Sequence, residues 1–281
     1  MPSAIAVRGL HKNYGKVEAV RGVDLDVEQG EVFALLGPNG AGKSTTVEIL
    51  EAHRKRTSGE VTVLGVDPAR GDRRWRSRIG IVLQTSNETL DMSVSELVRH
   101  FAGYYPRPRD ADEVIAAVGL TEQAGARMRT LSGGQRRRLD VALGVVGRPE
   151  LLFLDEPTTG FDPEARRQFW SLIKSLAEEG TTILLTTHYL DEAEYLADRV
   201  AVIAQGQVLD VGTPDRIGGR DQAVATVSWT DESGPHREET RTPSALLGRL
   251  IADAAGREIP DLTVTRPSLE EAYLRMIGEG R

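Results

Sequence analysis

The sequence predicts an α/β fold, a parallel sheet covered by helices, followed by a small α+β unit. Three observations predict it. The runs "EVFALLG" (31–37), "ELLFLDEP" (150–157) and "TTILLTTH" (181–188) are continuously apolar at strand length, the pattern of strands buried on both faces. Helical periodicity follows each of them, and strand–helix–strand alternation marks a parallel sheet. Near Gly218 the character changes: "IGGRDQ" is linker-like, and shorter mixed elements follow.

Taken in order, "AIAVRGL" alternates weakly and "VDLDVE" (23–28) strictly, so both read as half-buried strands. The buried run 31–37 leads into a helix from Ser44 to about Ala52. "GEVTVLG" and "RIGIVLQ" are further strands. From about Ser93 to Gly147 the pattern is helical, through "SVSELVRHFAGYY", "ADEVIAAVGL" and "LSGGQRRRLDVALGVV". Then come the strand 150–157, the helix "RRQFWSLIKSLAEEG", the strand 181–188, the helix "YLDEAEYLA" and the strand region "RVAVIAQGQVLDVG". Beyond the linker, "AVATVSW", "SALLGRLIADAAG", "EIPDLTVTR" and "SLEEAYLRMIG" predict the small unit, with turns at "DESGP" and "RTP". The expected domains are 1–217 and 218–281.

Composition narrows the function classes. With 281 residues, 40% apolar and 27% charged, this is an ordinary globular composition. The 35 basic and 42 acidic residues leave a net charge of −7, which argues against general nucleic-acid binding. No cysteine is present, so disulfides and thiolate metal sites are excluded. Apolar runs such as "VFALL" are far too short to cross a bilayer, and the opening "MPSAIAVRGL" has no secretory signal pattern.

The stretch "GPNGAGKST" (37–45) matches the phosphate loop G-x-x-x-x-G-K-[ST] and lies between a buried strand and a helix, the context that motif requires. Gly37, Gly40 and Gly42 let backbone amides approach phosphate oxygens, with Pro38, Asn39, Ala41 and Thr45 completing the loop. The helix N-terminus adds partial positive charge. Lys43 supplies a compact point charge, and Ser44 can reach a magnesium ion. Asp155, at the C-terminal end of an apolar strand, is the expected direct or second-sphere magnesium partner. Glu156 beside it could polarise an attacking water. Gln84 and His188 end two further strands whose tips converge on the same edge, so both are expected at the γ-phosphate, with Gln84 sensing magnesium or the water. Tyr14, between two N-terminal strands, could stack on an adenine ring.

In "LSGGQRRRL", Ser132 and Gln135 form a capping box, so a helix begins there. Leu139, Ala142, Leu143 and Val146 make an apolar stripe, and Arg136, Arg137 and Arg138 are expected on the solvated sides. Gly133 and Gly134 expose amides at the helix start, a second anion site. It lacks a lysine and a metal ligand, so it makes sense as a half-site that closes over a nucleotide held by another chain.

Over residues 3 to 215 the chain resembles the ATP-binding subunit of ABC transporters, with the motifs in the family's order. These are the stacking aromatic Tyr14, the Walker A loop at 37–45 and the Q-loop Gln84. The signature follows, Leu131, Ser132, Gly133, Gly134 and Gln135, then Walker B at 151–156, the D-loop with Asp162 and the switch histidine His188. Phe161 stands where leucine is commoner, read as a packing change. "GRPELLFLDEPTTGFDPEAR" and "RPSLEEAYLRM" are similar to the bacterial drug and antibiotic exporters whose ATPase and permease are separate chains. The resemblance implies a parallel-sheet core with an N-terminal antiparallel β subdomain and a helical subdomain at about 85–147. It implies ATP and Mg²⁺ as ligands and a head-to-tail homodimer sandwiching two ATPs. It also implies a membrane permease docked on the helical subdomain and a place on the inner face of the cell membrane. A soluble ABC-type ATPase acting on ribosomes or nucleic acid is the alternative. A single cassette, no heptads and the acidic charge argue against it, as do the eight basic and eleven acidic residues from 220 onward.

Overall fold

The computed structural model describes residues 3–82, 91–231 and 233–279. The chain divides into two compact units, Met1–Val211 and Gly212–Arg281.

In the first unit, β1 (Ser3–Tyr14) and β2 (Val17–Glu28) pair antiparallel. β3 (Val32–Leu36), buried at every position, follows and runs through the phosphate loop into α1 (Lys43–Leu50). β4 (Ser58–Val63) returns to the free side of β1, giving an antiparallel sheet ordered β2-β1-β4. The short α2 (Arg73–Arg76), capped by Asp72, precedes β5 (Ile79–Val82). A helical stretch then holds α3 (Val94–Ala102), α4 (Ala111–Ala117) and α5 (Gly133–Val145). Reciprocal capping boxes open α3 (Ser93 with Glu96) and α5 (Ser132 with Gln135). β6 (Leu151–Asp155), α6 (Pro163–Glu178), β7 (Thr182–Thr187), α7 (Leu190–Leu196), β8 (Arg199–Ala204) and β9 (Gln207–Gly212) complete the unit's strands and helices.

The large sheet is ordered β5-β6-β7-β3-β8-β9, and its pairs from β5 to β8 are parallel. The predicted α/β class is therefore the observed one, with the antiparallel sheet and helical stretch the resemblance implied. One hydrophobic core serves both sheets: Phe33, Phe153, Leu184 and Ile203 from the large sheet pack with Ile5, Leu10 and Leu25 from the small one. Large side chains with no exposed surface each contribute roughly 1.5–3 kcal/mol on burial, so this core fixes β3, β6 and β7, the strands that end at the site.

The second unit is a three-stranded antiparallel sheet ordered β11-β10-β12, with β10 (Ala225–Asp231), β11 (Gly234–Thr240) and β12 (Thr263–Thr265), plus α8 (Pro243–Ala254) and α9 (Leu269–Glu279). The division between units precedes Gly218, where the sequence suggested a linker. Gly218 packs inside the tail unit: a Cβ there would stand 3.2 Å from Ala272 and 3.3 Å from Met276, both on α9.

Candidate active site

β3, β6 and β7 lie side by side and parallel, so their C-terminal ends share one edge, where open α/β sheets bind ligands. From β3 the chain enters the loop at Gly37. A Cβ there would stand 2.2 Å from the Ile203 carbonyl oxygen, so only glycine lets the loop pass the end of β8. Gly42 caps α1 in the left-handed region at φ 102°, a backbone conformation glycine adopts without strain. No side chain caps α1. The amides of its first turn, Lys43 to Thr45, are left without intrahelical acceptors, a ready anion site. Pro38, Asn39 and Gly40 are exposed at the loop's crest, Ala41 is buried beneath it, and Ser44 is exposed at the helix start.

Lys43 is buried, and its ammonium donates to the carbonyls of Gly37 at 2.7 Å and Pro38 at 3.2 Å. Burial lowers its pKa, and the Glu156 and Asp155 carboxylates oppose that shift. The cation is thus held inside the loop, facing the carboxylates that end β6.

Asp155 accepts from the Thr186 hydroxyl on β7. Glu156 has a left-handed backbone at φ 44°, a cost of roughly 1–2 kcal/mol for a residue with a Cβ. Its amide donates to both the carbonyl and the hydroxyl oxygen of Thr186, each at 3.1 Å, which over-determines that conformation. The two carboxylates have different neighbours, Thr186 for Asp155 and His188 with Thr159 for Glu156. His188 Nδ1 lies 3.4 Å from Glu156 Oε2, and the Thr159 hydroxyl is a further partner at 3.4 Å. The structure therefore brings together Lys43, Asp155, Glu156 and His188 across three strand ends. Gln84 lies outside the described residues.

Tyr14, at the end of β1, is 40% exposed, with the cations of Lys12 and Arg54 at 4.9 Å and 5.3 Å from its ring centre. Asp162 N-caps α6, accepting from the amides of Glu164 and Ala165. Phe161 meets Phe169 edge-to-face at 5.7 Å, a packing role. Ser132 and Gln135 exchange capping bonds at 3.3 Å and 3.0 Å, Leu131 is buried, and Gly133 is exposed at the first turn of α5 with Gly134 half-buried.

One expectation is corrected. Arg137 is not on a solvated side of α5: it is buried, donating from Nε to the Pro157 carbonyl at 3.0 Å and from a terminal nitrogen to the Asp155 carbonyl at 2.9 Å. The backbone acceptors at the end of β6 compensate its desolvation, while Arg136 and Arg138 stay half-buried. Two buried carboxylates were also not read from the sequence. Glu51 ends α1 with its pKa pushed up to about 8, first by burial and then by the charges of Asp155 and Glu48. Glu192 on α7 accepts from the Thr158 hydroxyl at 2.8 Å and the Trp170 indole at 3.2 Å, and burial raises its pKa.

A phosphate loop on β3, a carboxylate pair ending β6 and a histidine ending β7 define a P-loop nucleotide hydrolase. Comparison with known proteins identifies the branch. A family profile described as "ABC transporter" matches residues 20–159. The daunorubicin resistance ATP-binding protein DrrA3 of Streptomyces coeruleorubidus is 36% identical, over 99% of this chain and 97% of the relative. The Nod factor export ATP-binding protein I of Ralstonia nicotianae is 39% identical, over 98% and 94%. Among solved structures, cbiO1 of Clostridium perfringens, described as part of the ABC transporter complex cbiONQ, superposes with a TM-score of 0.71 at 31% identity, over 77% of this chain and 91% of that one. The dimeric bacterial ABC transporter cassette MJ0796 gives 0.67 at 26%, over 74% and 98%. The chain belongs to the ABC transporter ATP-binding family. It is an ATP-hydrolysing cassette, and no helix among its described residues is long and apolar enough to cross a membrane.

Proposed function

We propose that this cassette powers export through a separate membrane permease, working as a head-to-tail dimer on the inner face of the membrane. The observation that carries this reading is the pairing of one complete phosphate site with one incomplete one. The complete site joins Lys43 to the carboxylates of β6. The incomplete one, at the start of α5, has exposed glycine backbone and no lysine or carboxylate partner in its capping box. Two copies arranged head-to-tail complete both, each signature (Leu131 to Gln135) acting on the nucleotide of the other chain. The names of the relatives, which act in drug resistance and Nod factor export, support the direction of transport.

In each site Lys43 pairs with the β- and γ-phosphates and the first-turn amides of α1 cradle them. Tyr14 stacks on the adenine. The hydroxyl of Ser44 and the carboxylate of Asp155 are hard oxygen donors, the type that suits magnesium, and Gln84 is assigned beside them. When bound, the ion neutralises charge on the β- and γ-phosphate oxygens. Glu156 orients and deprotonates the attacking water, His188 holds the Glu156 carboxylate from its Nδ1 side, and Asp162 lies at the dimer seam. The helical subdomain docks the permease. A cleft of about 370 Å³ between the end of α1, β5 and the helical stretch, lined by His53, Trp75, Phe101, Tyr105 and Leu143, supports that surface.

Complementation tests the dimer. Ser132→Arg is expected to spare ATP binding and abolish hydrolysis, whereas Lys43→Ala disables the subunit's own phosphate site and leaves its signature intact. Mixing Ser132→Arg with Lys43→Ala subunits leaves one composite site intact per heterodimer. Phosphate release above that of either parent is expected, and a mixture as inactive as its parents counts against action in trans. The tail, Gly212–Arg281, is a separate compact unit without motif residues. A chain ending at Val211 is expected to fold and bind a fluorescent ATP analogue with the full-length affinity. Loss of the cooperative melting transition in that chain would make the tail part of the main core.

A further inference from the structure

We propose that Arg137 is a positioning residue for hydrolysis, coupling the signature helix to the Glu156 carboxylate of the same subunit. The inference rests on the head-to-tail reading above, in which that helix touches the partner's nucleotide.

The geometry is specific. α5 begins at the signature, and Arg137 sits one turn in. Its guanidinium is buried and spans the residues on both sides of Glu156, bonding the carbonyls of Asp155 and Pro157 at 2.9 Å and 3.0 Å. A planar fork with donors on several edges can bridge two carbonyls at once, which an ammonium on a flexible stem does less well. Between those carbonyls is the one left-handed residue of the Walker B turn, Glu156. Farther along, the same helix is seated on β5: a Cβ on Gly80 would stand 2.3 Å from the Gly144 carbonyl oxygen, so the two backbones are in direct contact. α5 is therefore held at both ends, on β5 by close backbone packing and on β6 by Arg137.

This arrangement has a consequence for the reaction. Glu156 is held from one side by Thr186 of β7 and from the other by Arg137 of α5. A displacement of α5 when its signature engages the partner's nucleotide reaches the Glu156 turn through the Arg137 bonds to the Asp155 and Pro157 carbonyls. One active site then senses whether its own subunit has engaged the other. Lys43 bonds the carbonyls of Gly37 and Pro38, so a change confined to the Glu156 turn leaves those bonds in place and is expected to spare ATP affinity.

The test uses the full-length chain with Arg137→Met and Arg137→Lys. Arg137→Met keeps a long apolar stem and removes both bonds, while Arg137→Lys keeps a cation that reaches one carbonyl. Thermal melting establishes that each is folded, a fluorescent ATP analogue gives affinity, and phosphate release gives kcat and KM. The expected result is a split. Affinity and KM stay within about twofold of wild type, and kcat falls by about tenfold or more in Arg137→Met, with Arg137→Lys between the two. A misplacement of about 1 Å can cost on the order of 10²-fold, so the effect is measurable. Wild-type kcat in both variants overturns the proposal. So does a parallel loss of affinity and kcat, or failure of both variants to fold, because each makes Arg137 a structural residue only. The Ser132→Arg and Lys43→Ala mixture reads the head-to-tail arrangement separately: complementation there with no kcat effect here rejects Arg137 and leaves the dimer standing.

Discussion

Lys43→Ala is expected to abolish ATP turnover and to weaken ATP binding by about ten- to a hundredfold, the range for losing a hydrogen bond to a charged group. Lys43 is the buried cation of the phosphate loop, pointing toward both Asp155 and Glu156. Without it, the polyphosphate of ATP would meet two carboxylates with no side-chain countercharge between them, and repulsion adds to the lost contact. The alanine also strips the Gly37 and Pro38 carbonyls of their donor, which loosens the loop. Lys43→Met, which keeps the stem in place, separates the two effects: its melting temperature is expected near wild type while turnover stays absent. Equilibrium dialysis with labelled ATP and a phosphate-release assay measure binding and turnover. Near wild-type hydrolysis in either variant would remove Lys43 from the site.

What could be read in advance follows the range of the interactions involved. β3, β6 and β7 are buried on both faces, so their apolar runs name them. The helix start at Ser132 is local, because a capping box is complete within four residues, and of the predicted stripe Leu139, Ala142 and Val146 are fully buried while Leu143 is half-buried. Arg137 fails the same reading because its acceptors are backbone carbonyls 18 and 20 residues away, and nothing local marks a carbonyl as an arginine's partner. β11, "GPHREET", has almost no apolar side chains and three exposed residues in a row, Arg237 to Glu239, so its hydrogen bonds to β10 identify it. Glu192 could have been suspected: it shares the helical face of Leu196, four residues on, and a carboxylate on an apolar face needs partners. Those partners, Thr158 and Trp170, come from separate elements.

Glu156→Gln is expected to bind Mg-ATP as the wild type does and to hydrolyse it about 10²–10⁴-fold more slowly, the usual contribution of a positioned general base. The amide keeps the size of the carboxylate and most of its hydrogen bonding but cannot take a proton. The backbone at 156 is held by Thr186 through its main chain, so the substitution leaves the left-handed turn in place. Lys43, Ser44 and Asp155 are untouched, so the proposed phosphate and metal contacts are expected to persist. With binding intact and hydrolysis blocked, the head-to-tail pair has no route to reopening through product formation, and an ATP-dependent dimer is expected to accumulate. Size-exclusion chromatography with light scattering, with and without Mg-ATP, measures that dimer, and single-turnover phosphate release measures the chemical step. His188 lies within 3.4 Å of the same carboxylate, so His188→Ala provides the comparison. If histidine only orients Glu156, its loss is expected to cost less than the loss of the carboxylate. A Glu156→Gln protein that stays monomeric and turns over at the wild-type rate would reduce Glu156 to an acidic turn residue and move the base elsewhere.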